Sequence, residues 1–243
     1  MTLLNRSLNA FGKSWIAKGG FVPEHQLYKL LEWRRLREIL DRLAINLIFD
    51  VGAARGQFAV NLRKIGYQGR IVSFEPVPEA FAEVCAIFAT DPLWEGHQCA
   101  LGGRCDEMDF HVAIESTEMS SILRPKGDYW QLRKERVSMK TLDSLFDTLI
   151  GDIKVPRIFL KMDTQGYDVE VIQGAMNSLP LISAIQSELV IQPDYIGAPL
   201  YLEALALYQK CGFQPVSLIE AARNPHSGII TEFNCVLVRE EVP

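Results

Sequence analysis

Short apolar runs that end in an acid alternate along this chain with stretches whose apolar residues recur every three or four positions. Leu47-Ile48-Phe49-Asp50-Val51 is such a run, and Phe58, Leu62 and Ile65 follow at helical spacing. Arg70-Ile71-Val72-Ser73-Phe74-Glu75 repeats the run, with a helix expected over 78–89. Further strands are expected over 157–163, 182–191, 213–219 and 230–239, with helices over 141–149, 168–178 and 200–211. A weaker strand is expected over 97–101, and alternation at Met108, Phe110, Val112 and Ile114 predicts an added hairpin within 102–140. A parallel strand pair needs a long crossover, usually a helix, so this alternation predicts an α/β fold with a parallel sheet covered on both faces. Ligands of such sheets bind beyond the carboxyl ends of the strands, where strand order switches. The strand-end acids Asp50, Glu75, Asp163 and Glu188 are therefore the first site candidates.

The length of 243 residues suits one large domain. A helix over 24–44, marked by Leu27, Leu30, Leu31, Leu36, Ile39, Leu40 and Leu43, precedes the first strand. The expected organisation is an N-terminal helical segment, 1–44, and a main domain, 45–243. The Trp33-Arg34-Arg35-Leu36-Arg37 run reads as a solvated helix face. With 25 Lys+Arg against 30 Asp+Glu, the net charge of −5 argues against a nucleic-acid partner, which calls for a basic footprint. No stretch reaches the ~20 apolar residues of a membrane span, and the N-terminus lacks the apolar core and cleavage site of a secretory signal. Cys85, Cys99, Cys105, Cys211 and Cys235 are odd in number and far apart, which suggests reduced thiols in a cytoplasmic protein. Asn5-Arg6-Ser7 then reads as a chance glycosylation match. His25, His97, His111 and His226 avoid the strand ends, so no metal site is expected.

Asp50-Val51-Gly52-Ala53-Ala54-Arg55-Gly56 joins a strand to a helix. Its small residues allow a sharp turn and close approach of a ligand, and the helix N-terminus offers N–H groups to an anion. A dinucleotide's pyrophosphate normally takes three glycines; this loop has two, and Asp50 would oppose it. S-adenosylmethionine carries no phosphate. Asp50 would receive its ammonium, directly or through water, and the loop N–H groups its carboxylate. Glu75, followed by Pro76, is placed to accept the hydroxyls of a ribose, which both ligand classes contain. In the strand over 157–163, Phe159, Lys161 and Asp163 share one face, and Gln186 and Glu188 share a face of the next strand. A lysine inside a strand needs a partner, so Lys161 is expected beside Asp163 or Glu188. Asp168 suits a helix N-cap. Ser120 and Ser121 are substrate-side candidates in the irregular middle region.

These residues together resemble the FkbM family of S-adenosylmethionine-dependent methyltransferases, over roughly 45–239. The resemblance rests on Phe49-Asp50-Val51-Gly52-Ala53, Gly56-Gln57, Ser73-Phe74-Glu75-Pro76, Ala100-Leu101-Gly102, Ser120-Ser121, Thr141-Leu142-Asp143, Leu160-Lys161-Met162-Asp163 and Gly174-Ala175. It implies the class I methyltransferase (Rossmann-like) fold, a three-layer sandwich whose seven-stranded, mostly parallel sheet has its last strand antiparallel. It further implies S-adenosylmethionine held by Asp50, Gly52, Ala53, Gly56, Gln57, Glu75, Pro76, Ala100, Leu101 and Asp163. The reaction it implies is O-methyl transfer to a sugar, glycan or other natural product. Two positions depart from the family's usual motifs. Ala54 stands where Asn is usual, and Asp163-Thr164-Gln165-Gly166-Tyr167-Asp168 stands where Asp-Val-Glu-Gly-x-Glu is usual. A branch of the family carries Thr-Gln there, so Gln165 removes only a role that needs a carboxylate.

In such a reaction the protein aligns acceptor oxygen, methyl and sulfur, and a base takes the acceptor's proton. Asp163 is the first candidate base and Glu188 the second; Lys161 tunes either, or acts itself if desolvation lowers its pKa. The competing expectations are a nicotinamide-dependent oxidoreductase on a similar sheet and a non-catalytic S-adenosylmethionine-binding module.

Overall fold

The computed structural model describes residues 24–128 and 130–240. Residues 1–23, which hold the Asn5–Ser7 sequon and half of the expected N-terminal segment, lie outside them.

Strands β1 (Leu47–Val51), β2 (Arg70–Phe74), β3 (Trp94–His97), β7 (Ile158–Met162), β8 (Ile182–Val190), β9 (Phe213–Arg223) and β10 (Ile230–Arg239) form one sheet in the order β3-β2-β1-β7-β8-β10-β9. The pairings β3–β2, β2–β1, β1–β7 and β7–β8 are parallel, and β10 runs antiparallel to both of its neighbours. Strand order therefore leaves β1 in one direction through β2 and β3 and in the other through β7 and β8. The switch point lies between β1 and β7, where ligands of open α/β sheets bind.

Strand alternation sends successive side chains to opposite cores. On one face, Leu47, Phe49, Val51, Leu160 and Met162 pack with α4 (Leu142–Ile150), α5 (Asp168–Gln173) and α6 (Tyr201–Lys210) through Phe146, Ile172 and Tyr208. On the other, Ile48, Ile71, Phe159, Ala184 and Val236 meet α1 (Glu24–Arg42), α2 (Gln57–Lys64) and α3 (Pro78–Ile87) through Leu36, Leu40, Leu62 and Val84. The N-terminal helix is thus built into one outer layer of the sandwich.

The expected strand over 97–101 is two strands. Trp94–His97 pairs with β2, whereas β4 (Ala100–Leu101) pairs with β6 (Leu132–Lys140) in a separate three-stranded sheet, β4-β6-β5, with β5 at Asp106–Ala113. A turn closed by Cys99 N–H on His97 O at 3.0 Å separates them. The hairpin expected within 102–140 is β5 and β6, and Phe110 and Val112 of its alternating set join a small third core with Val77, Ala80, Val137 and Met139. The helix expected to reach 178 stops at Gln173 because Gly174 lies against β4: a Cβ there would sit 2.0 Å from Gly102 O.

Candidate active site

The glycine loop is shaped by backbone contact. Gly52 has φ +72°, and a Cβ on it would lie 2.0 Å from Asp163 O, so the ends of β1 and β7 touch backbone to backbone. Ala54 also adopts a left-handed conformation, φ +47°, and its N–H donates to Glu75 Oε2 at 2.8 Å. Glu75 Oε1 accepts from Val77 N–H at 2.9 Å. Burial pushes the Glu75 carboxyl up to about 7, against the pull of those two hydrogen bonds. Each of its oxygens keeps a second lone pair for a ligand hydroxyl.

Beneath the loop lies a closed polar chain across the sheet. Register puts Asp50 opposite Ser73 on β2 and opposite Lys161 on β7. Trp94 Nε1 donates to Ser73 Oγ at 3.1 Å, Ser73 Oγ to Asp50 Oδ2 at 3.3 Å, and Lys161 Nζ sits 2.9 Å from Asp50 Oδ1. Lys161 Nζ also donates to Gly52 O at 2.8 Å and Val51 O at 3.3 Å, and lies 3.6 Å from Asp163 Oδ2. Desolvation favours neutral lysine, but Asp50 and Asp163 outweigh it and drive the pKa upward. Lys161 is thus held as an ammonium, which corrects the expectation that burial frees it to act as a base. Asp50, expected to receive a ligand's ammonium, takes this internal one instead and is wholly buried.

The turn after β7 is organised by Gln165, at φ +55°. Its Nε2 donates to Asp163 Oδ1 and to Glu188 Oε2, both at 3.3 Å. The buried Tyr195 hydroxyl lies 3.1 Å from Gln165 Oε1 and 2.7 Å from Met119 O. Asp163 is 39% exposed, whereas Glu188 is recessed, its pKa raised well up by burial and then by Asp163, Glu232 and Asp168. Asp168 is not the expected N-cap; it is the first residue of α5, with Tyr167 at the cap position. Its carboxylate accepts from Thr164 N–H at 3.1 Å, Ser187 Oγ at 2.7 Å and Glu188 N–H at 3.2 Å, clamping the turn to β8. The expected substrate hydroxyls are also engaged. Ser121 Oγ donates to Gln165 O at 2.9 Å, which ties the β5–β6 insertion to this turn, and Ser120 Oγ accepts from Ala113 N–H at 3.1 Å, which holds the insertion to its own strand β5.

These elements surround a cleft of about 350 Å³ at the switch point. Gly52, Ala53, Gln57, Glu75, Pro76, Ala100, Leu101, Lys161, Asp163, Glu188 and Ser120 line it; Asp50, Gly56 and Ser121 do not. Gly56 is drawn away to open α2, with φ +79°, and packs near Val84. The wall also contains Phe58, Phe110, Met119, Ile122 and Tyr167, which the sequence reading did not single out. Phe58 and Phe110 were legible only as core positions of a helix and a strand. Met119 and Ile122 lie in the irregular stretch, where no periodicity marks them. The lining carries four carboxylates, Glu75, Glu118, Asp163 and Glu188, against one cation, Lys161. Among the described residues, no three His, Cys, Asp or Glu side chains converge to hold a metal ion. No described helix is long and apolar enough to cross a membrane.

A model of the FkbM methyltransferase domain matches residues 50–215, roughly two thirds of the chain. No curated protein sequence matches it. Among solved structures, the fibrillarin pre-rRNA processing protein of Methanococcus jannaschii aligns at 11% identity over 81% of this chain and 67% of its own, with a TM-score of 0.47. Aeropyrum pernix fibrillarin, solved with natively bound S-adenosylmethionine, aligns at 8% identity over 80% and 66%, TM-score 0.45. The chain thus spans about two thirds of the length of these two proteins. Magnesium protoporphyrin IX methyltransferase of Synechocystis PCC 6803, with S-adenosylmethionine bound, aligns at 10% identity over 91% and 86%, TM-score 0.46. The chain belongs to the FkbM family of S-adenosylmethionine-dependent methyltransferases.

Proposed function

We propose that this FkbM-family chain moves the methyl group of S-adenosylmethionine to a hydroxyl oxygen of a sugar, glycan or other natural product, in the cleft between β1 and β7. The supporting observation is the charge of that cleft. Among the described residues its one cation, Lys161, is engaged by Asp50, Val51 O and Gly52 O and lies 3.6 Å from Asp163, while the acids Glu75, Glu118, Asp163 and Glu188 line the wall. Such a wall repels a pyrophosphate, so the nicotinamide alternative is disfavoured. It suits a ligand that bears a sulfonium and an ammonium. The left-handed turn at Gly52 and Ala54 presents the loop backbone to the ligand's carboxylate, and Glu75 faces the ribose.

The cofactor supplies a methyl group already activated by its sulfonium charge. Asp163, the more exposed acid, accepts the proton of the acceptor hydroxyl, a role worth about 100- to 10,000-fold. Glu188 stands behind it, and Gln165 holds both in place. Lys161 keeps the glycine loop and the Asp163 turn in fixed relation. The Phe110–Ile122 wall excludes water. The catalytic unit is read as residues 45–243 preceded by the segment 1–44, and the compartment as cytoplasmic from five unpaired thiols.

Calorimetry with S-adenosylmethionine and with NAD, followed by labelled methyl transfer to a panel of glycans and natural products, tests this. S-adenosylmethionine is expected to bind, and Glu75→Ala to weaken it by about tenfold or more through loss of charge-assisted hydrogen bonds. Tight NAD binding without S-adenosylmethionine binding would reverse the choice. Binding without transfer to any acceptor would favour the non-catalytic module.

A further inference from the structure

Three loop segments meet beside the acids of the cleft: 117–126 in the β5–β6 insertion, 163–167 after β7 and 192–198 after β8. Two backbone hydrogen bonds join the first to the last. Lys126 N–H donates to Asp194 O at 2.7 Å and Ile196 N–H to Arg124 O at 2.8 Å, so Pro125 lies opposite Tyr195. The joint has no spare room. Gly166 has φ +91°, and a Cβ there would lie 2.8 Å from Ala198 Cβ and 3.3 Å from Leu123 Cδ1.

Tyr195 stands at the centre of this joint, buried, its ring stacked with that of Trp130. Its single hydroxyl proton is shared between acceptors in the two other segments, Met119 O at 2.7 Å and Gln165 Oε1 at 3.1 Å. Met119 ends the short turn Thr117–Met119, whose three residues line the cleft. At the other end of the Gln165 amide, Nε2 donates to Asp163 Oδ1 and Glu188 Oε2. The nitrogen and oxygen of an amide have nearly the same shape, so their partners decide which of them faces the acids. An oxygen turned that way would meet two acceptors. Donation from Tyr195 to Oε1 keeps the oxygen outward and the nitrogen on the acids. The Ser121 hydroxyl bonds the backbone of the same turn, at Gln165 O, and so does not set the amide. Tyr195 does not line the cleft itself.

We propose that Tyr195 is a positioning residue for methyl transfer: its hydroxyl orients the Gln165 amide that holds Asp163 and Glu188, and the same proton seats the Met119 wall at a fixed distance from those acids. The proposal rests on the methyl-transfer reading above and adds to it a residue that acts on the base through Gln165. Acids and wall then stay in register with each other, which an in-line transfer requires of the groups on either side of the acceptor oxygen.

Tyr195→Phe tests this, because it removes the hydroxyl and keeps the ring, the stack on Trp130 and both backbone bonds. Carbon-13 NMR of the glutamate carboxyls follows Glu188 through a pH titration of the full chain. Glu188 responds to burial and to Asp163, Glu232, Asp168 and Lys161, none of which the substitution alters. A merely structural hydroxyl would therefore lower the melting temperature and leave the Glu188 midpoint in place. The midpoint is expected to rise by about half a pH unit, a roughly threefold weakening of the ionised form as the amide loosens. In a Gln165→Ala background, Tyr195→Phe is expected to add no further rise. In labelled methyl transfer to the glycan and natural-product panel, kcat at neutral pH is expected to fall about fivefold and the acidic limb of the pH–rate profile to move upward, with KM for S-adenosylmethionine unchanged. An unmoved Glu188 midpoint, an equal rise in the Gln165→Ala background, or an unchanged pH–rate profile would overturn the proposal. Calorimetry with S-adenosylmethionine keeps the two failures apart. If parent and variant bind it equally but Glu188 or the rate profile stays put, the positioning role is wrong; if the parent does not bind it, or methylates no acceptor, the methyl-transfer reading falls and this proposal with it.

Discussion

The two sides of the cleft solve the problem of buried charge in opposite ways. On the β1–β2 side the buried acids meet partners: Asp50 has the Lys161 ion pair at Oδ1 and the Ser73 hydroxyl at Oδ2, and Glu75 has the N–H groups of Ala54 and Val77. On the β8–β10 side, Glu188 and Glu232 face further acids and lean on one glutamine amide. A satisfied network makes a rigid platform, as a binding loop needs. A side that leans on one amide keeps acids of raised pKa beside the cleft, as proton exchange with a substrate needs.

The sharpest way to break this contrast is to unbalance the settled side. Lys161→Met leaves Asp50 charged and buried, and is expected to cost about 3–5 kcal/mol in chemical denaturation. Pairing it with Asp50→Asn should recover much of that loss, because the orphaned charge goes with it. If the single variant is as stable as the parent, the platform does not depend on the ion pair.

Relieving the unsettled side should do the reverse. The Glu232 carboxyl is pushed up to about 7 in the fold from an ordinary 4.5, by burial and then by Asp163, Asp194 and Asp168. The folded state therefore holds more protons than the unfolded state between those values. Stability from this group is complete below pH 4.5 and is lost as pH rises through about 7. Glu232→Gln removes that loss, and is expected to stabilise the protein by about 1–3 kcal/mol at pH 8 and by little at pH 4.5. A pH-independent effect in thermal melts would contradict the assignment.

Gln165→Glu adds a carboxylate between Asp163 and Glu188 in place of an amide that donates to both. Methyl transfer at neutral pH is expected to fall about tenfold, and the acidic limb of the pH–rate profile to move upward as the acids raise one another. An unchanged profile would show that the amide does not position the base. The smallest effect is expected at Ala54, whose φ of +47° strains any residue but glycine. Ala54→Gly should stabilise by about 0.5 kcal/mol, the relief of a left-handed backbone offset in part by glycine's freedom in the unfolded chain.

Much of the fold was legible because its signal is local. Short continuous apolar runs give way to apolar spacing of 3.6 at the strand–helix boundaries, and the hairpin over β5 and β6 announced itself by alternation at Met108, Phe110 and Val112. The split of 97–101 was not legible, because two strands of different sheets lie two residues apart with no glycine or proline between them to mark the break. Of the strand-end acids, Glu75, Asp163 and Glu188 do line one cleft. Asp50 could not be told from them in one dimension, since all four sit at the same end of their strands. Ser120 and Ser121 were found as hydroxyls, but their partners lie seven residues before and 44 residues after them.

By itself, the order of residues determined the layered sheet, its acid-tipped strands and the small-residue turn at Gly52, because these follow from side-chain period and backbone sterics within a few positions. Only the tertiary structure decided which acid meets the lysine. Charge pairing depends on register between strands 110 residues apart, and it turned Asp50 and Lys161 into a buried support while leaving Glu188 to lean on a glutamine amide.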